Sequence, residues 1–203
     1  MNGSLLILVL VMGAGFCYMY STGRARISRL TEPEPGQIKV ACVGDSITYG
    51  SGTTNWPKNA YPTVLQELLG QDYHVNNYAI GGRAVQADSD YPYTQLSQYQ
   101  KSLEYQADIL VFMMGANDAK TVNWKNAYAF RKDLEALLDS YGQARTILCT
   151  PAAAFFPDGQ TEGVTSFDIQ PEVVDQIAQI TRDVAQERQI PLVDIHGLSL
   201  ENE

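Results

Sequence analysis

"VGDSITYG", Val43 to Gly50, sets a serine behind a glycine and an aspartate at the point where the apolar run "IKVACV" (Ile38–Val43) gives out. Ser46 is there either as an ordinary helix cap or as a nucleophile held at the end of a strand. Further apolar, β-branched runs occur at "HVNNYAI" (His74–Ile80), "DILVFMM" (Asp108–Met114), "RTILCT" (Arg145–Thr150) and "PLVDI" (Pro191–Ile195). Helix-like stretches separate them: "YPTVLQELL", the segment around "YTQLSQYQKSLEY", "NAYAFRKDLEALLDSYG" and "PEVVDQIAQITRDVAQERQ". In the last of these, Val173, Val174, Ile177, Ile180 and Val184 follow three- and four-residue steps, so one face is apolar, and Pro171 suits a first helical turn. Near-continuous apolar strands alternating with helices predict an α/β fold, with one parallel sheet covered on both faces. The 203 residues, 45% hydrophobic, suffice for one medium-sized domain with a good core.

Ligands of such open sheets bind beyond the carboxyl ends of the strands. Gly44-Asp45-Ser46 follows the first strand, Gly81-Gly82-Arg83 the second and Gly115-Ala116-Asn117-Asp118 the third, so three polar, glycine-bearing turns open on one edge. Acyl transfer by a serine needs an activated hydroxyl and donors aimed at the developing oxyanion. Ser46 can present its hydroxyl and its own N–H, Gly82 a second backbone N–H, and Asn117 a neutral side-chain donor. Each alone has an ordinary structural reading: Ser46 as an N-cap, Gly82 as a turn residue, Asn117 as an Asx-turn former. Their convergence favours chemistry.

Other classes fit less well. Thr48 stands where a G-x-S-x-G elbow needs its second glycine. "YGSGTTN" fails G-x-G-x-x-G at Asn55 and lacks the Gly-Lys-Thr of a phosphate loop. A net charge of −9 argues against nucleic-acid binding. The three cysteines, Cys17, Cys42 and Cys149, have no metal-ligand spacing, and the last two sit in apolar runs as buried thiols.

"VGDSITYG", "NYAIGG" (Asn77–Gly82) and "GAND" (Gly115–Asp118) resemble, in order and spacing, the first three blocks of the GDSL esterase/lipase family, the SGNH hydrolases. "YPTVLQELLG", "DYPYTQLSQYQKSLEYQADILVFMMGAND" and Asn123-Trp124 are similar to its sialate-O-acetylesterase-like branch. The resemblance runs from about Lys39 to the last residue. It implies a three-layer, flavodoxin-like fold with strand order 2-1-3-4-5 and hydrolysis of small acyl esters, such as acetyl groups on sugars, without metal or cofactor. It makes Ser46 the nucleophile, Ser46, Gly82 and Asn117 the oxyanion donors, and Gly44, Asp45 and Asp118 residues that support the turns. A lipase or thioesterase on the same scaffold, and a catalytically silent glycan-binding domain, are the alternatives. Trp56, Tyr91, Tyr93, Trp124 and Phe156 are candidates for a sugar platform, against a plain packing role.

The family's base lies in a fourth block, D-x-x-H, which does not occur in this sequence. His74 opens the second strand, at the end away from the site, and reads as structural. His196 follows the last strand in "VDIHG", two residues from Asp194 rather than three. Residues 38–203 thus read as a hydrolase domain shortened at its C-terminus, or as one that has recruited His196. At the other end, "LLILVLVMGAGFCYMY" (Leu5–Tyr20) carries no charge and precedes Arg24, Arg26 and Arg29. We expect residues 1–23 to be a membrane anchor, or else a cleaved signal, followed by a Pro-rich linker over 24–37. The arginines favour a cytoplasmic domain by the positive-inside rule, whereas the family resemblance favours export to the cell surface.

Overall fold

The computed structural model describes residues 27–156, 162 and 165–201. Five parallel strands, β1 (Ile38–Gly44), β2 (Tyr73–Asn77), β3 (Ile109–Met113), β4 (Arg145–Cys149) and β5 (Leu192–Val193), form one sheet in the order β2-β1-β3-β4-β5. The helices are α1 (Ser46–Tyr49), α2 (Tyr61–Leu69), α3 (Ser97–Glu104), α4 (Ala127–Asp139), α5 (Pro171–Glu187) and α6 (Ile195–Leu200). The expected α/β class and strand order are therefore present.

β1 lies between β2 and β3, which explains why its apolar run does not alternate: Val40, Ala41, Cys42 and Val43 are all at most 1% exposed. Ala41 pairs with Leu110, and Val43 with Phe112, which pairs in turn with Leu148. These residues share a core with Phe130, Leu134 and Leu137 of α4 and Val173, Val174, Ile177 and Val184 of α5. Burying each such side chain contributes roughly 1.5–3 kcal/mol, which fixes α4 and α5 on that face. The periodicity read from α5 is the face that packs, and Pro171 sits in its first turn.

Several elements differ from the sequence reading. β2 stops at Asn77, yet Tyr78 N and Ile80 N still donate to Cys42 O and Gly44 O, so the following turn stays alongside β1. The segment around "YTQLSQYQKSLEY" splits into a 3-10 turn (Tyr93–Gln95) and α3, because Leu96 between them is extended (φ −97°, ψ 150°). β5 has only two residues and lies at the sheet edge. The expected linker is docked from Leu30 onward. Leu30 packs against the core, while Thr31 N donates to Asn76 Oδ1 and Asn76 Nδ2 donates to Thr31 O. These bonds satisfy a polar side chain on an edge strand. Leu5–Tyr20, Cys17, Arg24 and Arg26 lie outside the described residues, and among the described residues no helix is long and apolar enough to cross a membrane.

Candidate active site

The first turn is made by a glycine that nothing larger can replace. A Cβ on Gly44 would lie 2.0 Å from Thr48 Oγ1 and 2.7 Å from Met113 O, so α1 folds back directly over the end of β1. Asp45, not Ser46, caps α1: its Oδ1 accepts from Ile47 N at 2.9 Å. The capping reading of Ser46 is thereby corrected. A carboxylate one residue earlier satisfies the free N–H, and the serine is released from that duty. Ser46 is half-buried, and neither its hydroxyl nor its N–H has a hydrogen-bond partner among the described residues.

The second turn is tied to the first. Asn77 Oδ1 accepts from Ala79 N at 3.0 Å, and its Nδ2 donates to Thr48 O of α1 at 3.1 Å. The chain then passes the serine, since a Cβ on Gly81 would lie 3.5 Å from Ser46 Cβ. Gly82 follows at φ +78°, a conformation that L side chains avoid, and a Cβ there would meet nothing within 4 Å. Its backbone is open to approach, and its N–H is unpaired among the described residues.

The third turn, a 3-10 segment over Ala116–Ala119, closes the arrangement. Asn117 is buried, and its Nδ2 donates to Arg83 O at 3.1 Å and to Asp45 Oδ2 at 3.4 Å. One carboxamide thus joins all three turns, with both of its donors occupied in this structure. The next residue, Asp118, is fully buried and accepts from Val85 N at 2.9 Å and Gln86 N at 2.8 Å, which fixes the chain leaving Gly82. Burial pushes the Asp118 carboxyl up to about 7 and that of Asp45 up to about 6, against hydrogen bonds that favour the ionised forms.

Asn123 was not assigned a role from the sequence. It is fully buried; its Nδ2 donates to Asn117 O and to Asp90 Oδ1, both at 2.8 Å, and its Oδ1 accepts from Asp90 N at 2.7 Å. An asparagine in a loop is weak sequence evidence, because its partner Asp90 lies in a different loop.

Neither histidine reaches Ser46. His74 bonds Thr31 Oγ1 through Nε2 and the Tyr105 hydroxyl through Nδ1, which is the structural role expected of it. His196 is buried against α5: Nε2 lies 2.8 Å from Asp175 Oδ1 and Nδ1 lies 3.3 Å from Arg182 Nη2. The consistent tautomer donates from Nε2 to the carboxylate and accepts at Nδ1 from the guanidinium. Its one lone pair is then occupied, which goes against the alternative in which His196 is recruited as base. Cys42 and Cys149 are buried free thiols, pushed by burial to about 12 and about 11. Among the described residues no three His, Cys, Asp or Glu side chains group to hold a metal ion.

The aromatic platform divides. Tyr93 is core, donating to Tyr78 O, and Trp124 packs toward Phe130, while Phe156 is half-buried. Trp56 stacks on Tyr49 of α1 and Tyr91 is 56% exposed, so these two remain at the surface.

A 2-1-3-4-5 parallel sheet carrying a serine turn, a glycine turn and an asparagine turn in mutual contact defines an SGNH-type α/β architecture. Residues 42–203 match the GDSL-like lipase/acylhydrolase family, and the chain belongs to that family. It is 30% identical over 196 residues to an acetylxylan esterase of Xylanibacter ruminicola, covering 86% of this chain and 39% of that protein. The chain therefore spans about two-fifths of the length of that curated relative. Among solved structures, an acetyl xylan esterase superposes with a TM-score of 0.62 at 26% identity, over 81% of this chain and 80% of its own. A carbohydrate acetylesterase from Sinorhizobium meliloti also gives 0.62, at 18% identity over 78% of this chain and 84% of its own, a likeness of fold.

Proposed function

We propose that this chain carries the nucleophile and oxyanion donors of a serine esterase that removes acetyl groups from carbohydrates. The observation that carries the proposal is the contact of three separate turns around a serine hydroxyl left without a structural partner. In this reading Ser46 Oγ attacks the ester carbonyl. The N–H groups of Ser46 and Gly82 and the Asn117 carboxamide receive the negative oxygen. The 3.4 Å contact from Asn117 Nδ2 to Asp45 Oδ2 is the longer of its two, and it is the bond an oxyanion takes over. Each donor contributes roughly 3 kcal/mol to stabilising the transition state.

The acetyl group and the sugar are supported by kinship with proteins described as acetylxylan esterase and carbohydrate acetylesterase. Both histidines are bonded elsewhere, so neither is assigned as the group that takes the Ser46 proton. The same fact supports the second reading, a glycan-binding domain without turnover. The sialate-esterase-like branch and a membrane-tethered, cell-surface location remain part of the proposal, resting on sequence alone. Deacetylation of an acetylated sugar separates the two readings. Slow turnover by the parent chain that is lost in Ser46→Ala and rises with added imidazole supports the esterase. Binding of the sugar with no Ser46-dependent turnover, with or without imidazole, supports the silent domain.

A further inference from the structure

Immediately beyond Gly82 stands Arg83, which forms no salt bridge among the described residues. Arg83 gives its carbonyl to Asn117, and its guanidinium lies over the Tyr91 ring, 5.0 Å from the centroid. Its Nε is buried without a hydrogen-bond partner among the described residues, and no carboxylate there pairs with it. Arg131, Arg182 and Arg188, by contrast, each hold carboxylates. The nearby carboxylate of Asp90 is already engaged by Lys120 at 3.3 Å and Asn123 Nδ2 at 2.8 Å. Burial holds the Arg83 guanidinium below the usual arginine value, although Tyr91 and Asp90 pull the other way.

The loop bearing this cation is fixed rather than free. Asp118 holds Val85 N and Gln86 N, Asp133 holds Ala87 N and Asn123 holds Asp90 N. Ala84 N donates to Tyr91 O, and Tyr93 N donates back to Ala84 O, so Arg83 and Tyr91 are clasped at the loop neck. A guanidinium stacked on an aromatic ring keeps its N–H edge available in its own plane. Such an edge matches a carboxylate, which also supplies the charge that a partly desolvated cation lacks and that a sugar hydroxyl does not.

We propose that Arg83, braced on Tyr91, determines specificity by binding a carboxylate on the sugar beside the acetyl ester, so that the substrate is an acidic sugar such as a uronic acid. This rests on the esterase reading above and names its substrate class. On a chain of net charge −9, an anionic substrate needs such a local cation.

The test uses two O-acetylated methyl glycosides, a glucuronoside and a glucoside differing only in the carboxylate, titrated calorimetrically into the 203-residue chain. The glucuronoside should bind about tenfold or more tightly at low salt, with the preference falling as salt rises. R83Q should bring the two ligands to similar affinity, and R83K should keep part of the preference; circular dichroism checks that both variants are folded. Equal affinity of the parent for both sugars, or a preference undiminished in R83Q, overturns the role of Arg83 and leaves the esterase reading standing. Binding of neither sugar overturns both.

Discussion

The two ends of the sheet order are built differently. Around β1, β2 and β3 the carboxyl edge is held by polar side chains that span loops, Asn77 half-buried and the others buried: Asn77 to Thr48, Asn117 to Asp45 and Arg83, Asp118 to Val85 and Gln86, Asn123 to Asn117 and Asp90. At β5 and α6 the strand is two residues long, Leu192, Val193, Leu198 and Leu200 are at least 37% exposed, and a partly exposed ionic clamp does the holding. Arg182 there reaches Asp194 at 2.9 Å and His196 at 3.3 Å. The contrast teaches that the proposed donors are held by a network of bonds spanning three loops. At the β5 end, by comparison, the buried polar bonds run through Thr150, which donates to Asp194 and accepts from His196 N, and the charged clamp around them is partly exposed.

The sharpest way to break this contrast is at Asp118. Asp118→Ala leaves two buried N–H groups without an acceptor, and should cost about 4 kcal/mol in urea unfolding, at roughly 1–3 kcal/mol for each orphaned donor. Asp118→Asn sharpens it through pH. Burial raises Asp118 from 3.8 to about 7 and Asp45 from 3.8 to about 6, so the folded chain holds more protons than the unfolded one within that window. Their contribution to stability is therefore full below the unfolded value and lost as pH rises through the folded values. Stability should fall from pH 4 to pH 7 less steeply in Asp118→Asn than in the parent.

A smaller effect is expected at the other end. Arg182→Met removes a clamp whose Asp194 partner is 42% exposed, and after solvent screening should cost about 1 kcal/mol or less, shrinking further in high salt. A loss as large as that of Asp118→Ala would erase the distinction between the two regions. Smallest of all, Leu198→Gln at a side chain 52% exposed should leave stability in urea unfolding within about 0.5 kcal/mol of the parent.

The layout of the fold was legible because β1 is buried on both faces, β3 on one with its other face half-buried, and α5 on one, so their patterns stand out. β5 was read too long, since an edge strand shares the composition of its flanks, and only pairing with β4 defines its extent. Of the site, the three turns were legible as short motifs at strand ends. The assignment of the cap to Asp45 rather than Ser46 was not, because two adjacent residues can both cap and only the bond to Ile47 N decides. The occupied donors of Asn117 and the bond from Asn123 to Asp90 depend on partners more than thirty residues away, and the lack of a partner for Arg83 Nε among the described residues is something no local pattern encodes.

Hydrolysis of p-nitrophenyl acetate by the 203-residue chain, run beside Ser46→Ala and His196→Ala, tests the central claim most directly. Loss of a catalytic histidine costs on the order of 10⁶-fold in such units. The account therefore predicts weak turnover that disappears in Ser46→Ala and is untouched in His196→Ala. Vigorous turnover that falls as far in His196→Ala as in Ser46→Ala would contradict it.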